Sequence, residues 1–279
     1  MRSSIKLIVT AAVLIIAGAC VCGAAVLAMG FTPGDLSTSN IITNEYEIED
    51  TFKDIIIKGN SESIVLAKAT DGKCSVSLKE YENEPHTVTV EDNKLIVERK
   101  ASDDWNLNIS IGTSTGITLY LPEDLYGNID IDTDSGKLEI SGISAEDLSF
   151  NGDSGWVNIR DCKIIDTIQV TVDSGKVGLE NINCTDLDLS GDSGFLDMKN
   201  VVAARNMDIK RESGMVTFDA CDAAMIRVET ESGAVKGTLL SGKTFKVSSE
   251  SGSVKVPQDG GNGVCEIKTE SGLVLISIK

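Results

Sequence analysis

Asp134-Ser135-Gly136, Asp153-Ser154-Gly155, Asp173-Ser174-Gly175 and Asp192-Ser193-Gly194, followed by Glu212-Ser213-Gly214, Glu231-Ser232-Gly233, Glu250-Ser251-Gly252 and Glu270-Ser271-Gly272, are eight returns of one tripeptide. Successive glycines are separated by 19, 20, 19, 20, 19, 19 and 20 residues. A period held that closely means one supersecondary unit stacked on copies of itself.

The residues between the glycines identify the unit. Two and four places after each glycine stand apolar pairs such as Leu138/Ile140, Val157/Ile159, Val177/Leu179 and Val274/Ile276. Seven and five places before it stand Ile129/Ile131, Leu148/Phe150, Ile168/Val170, Leu187/Leu189 and their equivalents down to Cys265/Ile267. Both sets alternate apolar with polar, so each is a short strand with one face in and one face out. A third inward column lies seven places after the glycine: Ile143, Cys162, Ile182, Val201, Cys221 and Leu240. Helical spacing is absent from the unit. The reading is all-β: a single-chain β-solenoid of about nine coils, stacked at the inter-strand spacing of about 4.8 Å.

Two strands in one coil meet at a sharp corner, where Gly supplies positive φ without steric cost. The neighbouring Asp or Ser is expected to hydrogen-bond the corner's free N–H groups. Asp-Ser-Gly is also the signature of aspartic proteases, which need two copies on facing lobes. Eight copies on this period exclude that chemistry.

Residues 1–6 carry Arg2 and Lys6, and 7–29 are 23 residues without a charge. As a helix they extend about 35 Å against a hydrocarbon core of about 30 Å. No positive charge follows before Lys53, so the expected topology is a cytoplasmic tail (1–6), an uncleaved transmembrane signal anchor (7–29) and an extracytoplasmic remainder. The alternative is a lipoprotein acceptor at Cys20 after Ala17-Gly18-Ala19, but the apolar run continues past it.

Residues 30–50 read as a polar linker, 51–108 as an irregular β lead-in that caps the first coil, and 109–279 as the solenoid repeats. Ile109/Ile111 before Gly116 match the repeat frame, which makes Thr115-Gly116 a degenerate extra corner whose partner strand slips by one place. At the other end, the Leu273-Val274-Leu275-Ile276 strand is expected to present an open edge that a partner covers or the protein blunts.

With a signal anchor, an irregular β lead-in and coils of about 20 residues marked by Asp-Ser-Gly, residues 51–279 resemble a bacterial family of β-strand-repeat proteins called "putative adhesins", a domain of unknown function. The resemblance implies the solenoid architecture and placement in the cell envelope. Some relatives are associated with envelope-stress signalling. The family defines no functional residues, so none is carried over.

The formal net charge is −18, with 43 acidic against 25 basic side chains. That surface repels nucleic acid and anionic headgroups. Of the seven cysteines, Cys20 and Cys22 fall in the apolar segment. Cys162 and Cys221 share a column three coils apart, about 14 Å, too far for a disulfide. They, Cys184 and Cys265 read as small buried hydrophobes, and Cys74 stands alone in the lead-in. Neither a zinc spacing nor a phosphate-binding glycine pattern occurs. The single histidine, His86, follows Pro85 in a charged stretch and reads as a solvated loop residue. No nucleophile constellation assembles around it, so the protein is not expected to be an enzyme, and no cofactor is expected.

Two columns are candidates for binding. The first is the carboxylate row Asp134, Asp153, Asp173, Asp192, Glu212, Glu231, Glu250 and Glu270. Like charges at the coil spacing repel by up to about 1 kcal/mol per neighbour even in water, and calcium would relieve this. The simpler reading is that the carboxylates splay into solvent, since the nonapeptide spacing of calcium-binding β-rolls is missing. The second candidate lies one place after each glycine, where Trp156, Lys176, Phe195 and Met215 form an outward strip suited to carbohydrate or protein contact. Two functions fit: an adhesin-like rod that holds a surface for cell-wall polymer or a surface ligand, or a regulatory partner of another membrane protein in envelope-stress signalling.

Overall fold

The computed structural model describes residues 40–100, 114–258 and 260–279. The tail, the apolar segment 7–29, residues 30–39 and the Ile109/Ile111 strand lie outside these. Among the described residues no helix is long and apolar enough to cross a membrane. Every regular element described is a strand, and all fifteen belong to one mostly parallel sheet.

The period-2 patterns produce the coils. β10 (Ser144–Arg160) and β12 (Thr167–Gly191) pair in parallel with Leu148 on Ile168, Gly155 on Gly175 and Val157 on Val177. β12 continues in the same way onto β13 (Ser193–Leu239), with Gly175 on Gly194 and Val177 on Leu196. Within β13 the strand passes through the corners at Gly214 and Gly233 without a break, running 47 residues as one strand bent repeatedly. The 20-residue step from Gly194 to Gly214 is absorbed by a bulge between Cys184 and Asp186, on the coil side away from the glycine corner.

A second turn, six places after each glycine, is not marked by glycine in the motif. Gly142, Asp161, Asn181, Asn200 and Ala220 occupy it with φ of 70, 54, 55, 52 and 56°. Asn and Asp tolerate the left-handed region. They also form a ladder: Asn181 Nδ2 donates to Asp161 Oδ1 at 2.8 Å, and Asn200 Nδ2 to Asn181 Oδ1 at 3.0 Å. This turn sends the next residue inward, which is why Ile143, Cys162, Ile182, Val201 and Cys221 are buried. Leu240 departs from that column. In its coil Gly237 takes the positive φ two places early, the phase shifts, Leu239 is buried and Leu240 is 46% exposed.

Both ends of the ladder differ from the sequence expectation. At the N-terminal end, β2 (Asp54–Lys58) and β3 (Ser63–Lys68) already form a coil in register. Ile55 and Ile57 pair with Ile129 and Ile131 of β8 (Leu125–Thr133), and Ile64 and Leu66 with Leu138 and Ile140 of β9 (Lys137–Ser141). Its corner, Asn60-Ser61-Glu62, has no Ser-Gly and was invisible to the motif. On this coil lie β6 (Lys94–Arg99) and β7 (Gly116–Leu121), both parallel to it. Gly116 pairs with Ser63, which also pairs with Lys137, so it stands one place after the corner rather than at it. It also lacks positive φ, so Thr115-Gly116 is not a corner of the repeated kind.

Antiparallel strands then end the stack. β4 (Cys74–Tyr81) covers β7, β5 (His86–Glu91) covers β6, and β1 (Ile41–Ile48) covers β4. Residues 41–48, read as linker because of their glutamates, are therefore an edge strand. Thr43, Glu45 and Glu47 are its exposed positions, a charged edge strand that resists further pairing.

At the C-terminal end the chain order and the spatial order part. β15 (Val264–Ile278) pairs on one side with β13, Gly233 on Gly272, and on the other with β14 (Thr244–Lys255), Gly272 on Gly252. The last coil in sequence is thus inserted between its two predecessors. The expected open edge at residues 273–276 is covered by this chain's own β14, and the free edge is β14, rich in Ser, Lys and Glu and mostly exposed.

Candidate functional site: the corner ladder

The eight glycines stack on one another with φ between 118 and 147°. A Cβ on Gly155, Gly175, Gly194, Gly214, Gly233, Gly252 or Gly272 would lie 1.9–2.1 Å from the carbonyl oxygen of the glycine beneath. Two constraints therefore coincide: a left-handed backbone and a main-chain contact that no side chain fits. The corner N–H groups are satisfied between coils, not by side chains as expected. Asp153 N and Ser154 N donate to Asp134 O at 3.1 and 3.0 Å, and Trp156 N to Gly136 O at 3.0 Å. Freed of that task, the serines bond one another along the ladder, Ser174 Oγ to Ser193 Oγ at 3.3 Å and Ser135 Oγ to Ser61 Oγ at 3.1 Å.

All eight corner carboxylates are exposed, and none of them is in an ion pair among the described residues. No group of three His, Cys, Asp or Glu side chains among the described residues is placed to hold a metal ion. The row is real as a row, with the Glu250 and Glu270 positions interchanged by the C-terminal insertion.

The structure brings the outward strip together in register. Trp156 pairs with Lys137 on one side and Lys176 on the other, and Lys176 with Phe195. Trp156 and Phe195 are 42% and 55% exposed, whereas Met215 is half-buried. The ammonium over the indole belongs to Lys137, 4.5 Å from the ring centroid, a cation–π contact. Lys176 instead turns to Asp197, Nζ to Oδ2 3.1 Å. The aromatic faces are thus separated by a neutralised lysine.

The five described cysteines are free and buried. Burial pushes the Cys184 and Cys265 thiols up to about 12 and those of Cys74 and Cys221 up to about 11, so none is a thiolate at neutral pH.

His86 overturns its expectation. It is buried in the cap, its Nδ1 2.8 Å from Glu80 Oε2 and its Nε2 3.6 Å from Glu62 Oε1. Glu80 also accepts the His86 N–H at 2.6 Å and Asn44 Nδ2 at 2.7 Å. Glu62 turns inward to accept the N–H groups of Asn60 and Ser61 at 2.5 and 3.0 Å, capping a corner that lacks glycine. Buried carboxylates need such partners. The loop looked solvated because its neighbours in sequence are charged; strand pairing with β6 decides otherwise.

Comparison with known proteins supports the repeat architecture. The family model described as Toastrack DUF4097 matches residues 52–201 and again 157–279. The chain belongs to the Toastrack DUF4097 family. The two matches overlap over residues 157–201. Similar solved structures include a "putative adhesin" from Bacteroides fragilis, at 17% identity over 85% of this chain and 97% of that one, TM-score 0.49. Another, from Parabacteroides distasonis, is described as a "putative lipid binding protein", at 16% identity over 87% of this chain and 97% of that one, TM-score 0.48. No curated protein matches the chain.

Proposed function

We propose that this Toastrack chain is a non-catalytic interaction rod of the cell envelope, adhesin-like in role, anchored by the apolar segment 7–29 with its N-terminus cytoplasmic and its solenoid outside. The observation that carries this reading is the exposed Trp156–Lys176–Phe195 strip, held rigid on a corner whose backbone tolerates no other residue than glycine. Rigid, outward aromatic faces contribute stacking surface at low entropic cost. The acidic surface disfavours nucleic acid and fits a soluble rod.

The test is binding of the full chain to isolated cell-wall polymer and intact cells, with Trp156→Ala and Phe195→Ala. Loss of about tenfold in affinity, about 1.4 kcal/mol, with unchanged unfolding supports the strip; unchanged binding removes it. A second reading is a regulatory partner in envelope-stress signalling. It is favoured by the small residues Gly18, Ala19, Gly23, Ala24 and Ala25 in the apolar segment, which permit close helix packing. Cross-linking in membranes separates the two: recovery of a sensor protein and no polymer would replace the first reading by the second.

A further inference from the structure

The repeat is interrupted chemically at one place. Three residues before each corner glycine the side chain points into the bend, and the occupants are small, apolar or hydroxylated: Thr133, Gly152, Val172, Gly191, Thr230, Ser249 and Thr269. In one coil this position is Arg211. Its side chain is buried in the space left by Gly191, where a Cβ would meet Arg211 Nη1 at 2.2 Å. Nη1 donates to Val172 O, two coils away, at 2.9 Å. Nη2 has no partner, and no carboxylate lies within ion-pairing distance of the guanidinium among the described residues.

The next coil carries a matching vacancy. Thr133, Ser249 and Thr269 each donate their hydroxyl to the carbonyl two residues ahead, at 3.1 Å. Thr230, stacked beside Arg211, does not, and its Oγ1 is also without a partner. Both residues line a groove of about 600 Å³ along the inside of the bend, with Thr171, Ser190, Lys210 and Lys268. An unpaired buried cation and an unpaired buried hydroxyl each cost stability unless something completes them.

The charge pattern narrows what completes them. The guanidinium calls for one planar oxyanion. The groove's rim is strongly acidic, carrying Asp173, Asp192, Glu212, Glu231, Glu250 and Glu270, and so opposes a polyanion such as a phosphate chain. Carboxylates on the rim accept hydroxyl hydrogens well. A volume of this size suits a short oligosaccharide, and the coil spacing of about 4.8 Å is close to the length of one pyranose ring. We propose that the Arg211–Thr230 groove binds an acid sugar, its carboxylate on Arg211 and Thr230 and its hydroxyls on the acidic rim. This rests on the reading of the rod as a ligand carrier and names the ligand class.

The test is calorimetric titration of the full chain in detergent micelles with a glucose oligosaccharide carrying a single glucuronate, neutral glucose oligomers and the dipeptide Ala-Ala. The expected result is binding of the oligosaccharide with one glucuronate alone, weakened at least tenfold by Arg211→Met and by Thr230→Val, with both variants folded by circular dichroism. Thr230→Val keeps the charge, so it reports on the site even where Arg211→Met alters packing. Absence of glucuronate binding, binding by both variants as tight as that of the unsubstituted chain, or binding of the dipeptide alone would each overturn the proposal. Because the titration uses no cell surface, its outcome is separable from that of the Trp156 experiment.

Discussion

Gly175→Ala tests the ladder at its centre. The substituted residue would hold a φ of 140° with its Cβ 2.0 Å from Gly155 O and 3.0 Å from Gly155 N and C. Holding an L-residue in that backbone region costs about 1–3 kcal/mol. The clash is with the backbone of the adjacent coil in a hydrogen-bonded ladder, so relief requires the two coils to part, at a further cost of about 1–3 kcal/mol, as for an overpacked core. The expected loss is about 2–6 kcal/mol, a large share of the stability of an ordinary domain. Gly178→Ala, three residues away, is the control. Gly178 has no positive φ, and a Cβ there meets nothing nearer than Asn158 Oδ1 at 3.4 Å. It is expected to be neutral within about 0.5 kcal/mol. Urea unfolding of both variants, followed by far-ultraviolet circular dichroism, measures the difference. A Gly175→Ala variant within about 1 kcal/mol of Gly178→Ala would refute the claim that the corners require glycine for contact as well as for φ.

Three other outcomes are expected. Ala220 holds the left-handed φ of 56° that its neighbours assign to Asn or Gly, so Ala220→Gly should stabilise by about 1 kcal/mol and raise the melting midpoint by about 2–4 °C. The buried thiols have pKa values raised above the ordinary 9.0, to about 12 for Cys184 and Cys265; the folded state then binds more protons between those limits. Stability should be intact below pH 9 and decline as pH rises toward 12, and Cys184→Ala should flatten the decline in a series of thermal melts. Since no three carboxylates converge among the described residues, millimolar calcium and chelator should give the same melting midpoint. A calcium-dependent rise would restore the carboxylate row as a metal site.

Local pattern made much of this molecule legible. The 19–20-residue return of Ser-Gly, the in–out alternation on either side and the burial of Cys162, Cys184, Cys221 and Cys265 all follow from which face a residue occupies, and that phase is written residue by residue. The second turn was recorded as well, in Asp161, Asn181 and Asn200, but its signal is spread over Gly, Asp, Asn and Ala and only the backbone shows the shared left-handed φ. What tertiary structure alone decided is which coil lies on which. Coils with nearly identical edges are interchangeable partners, so nothing local forbids residues 264–278 from slipping between 226–239 and 244–255, or requires that 54–68 stack on 129–140. The same non-local pairing buries His86 against Glu80 and Glu62, and sets the orphaned Arg211 beside Thr230. Neighbours in sequence describe a residue's phase; only the packed ladder supplies its company.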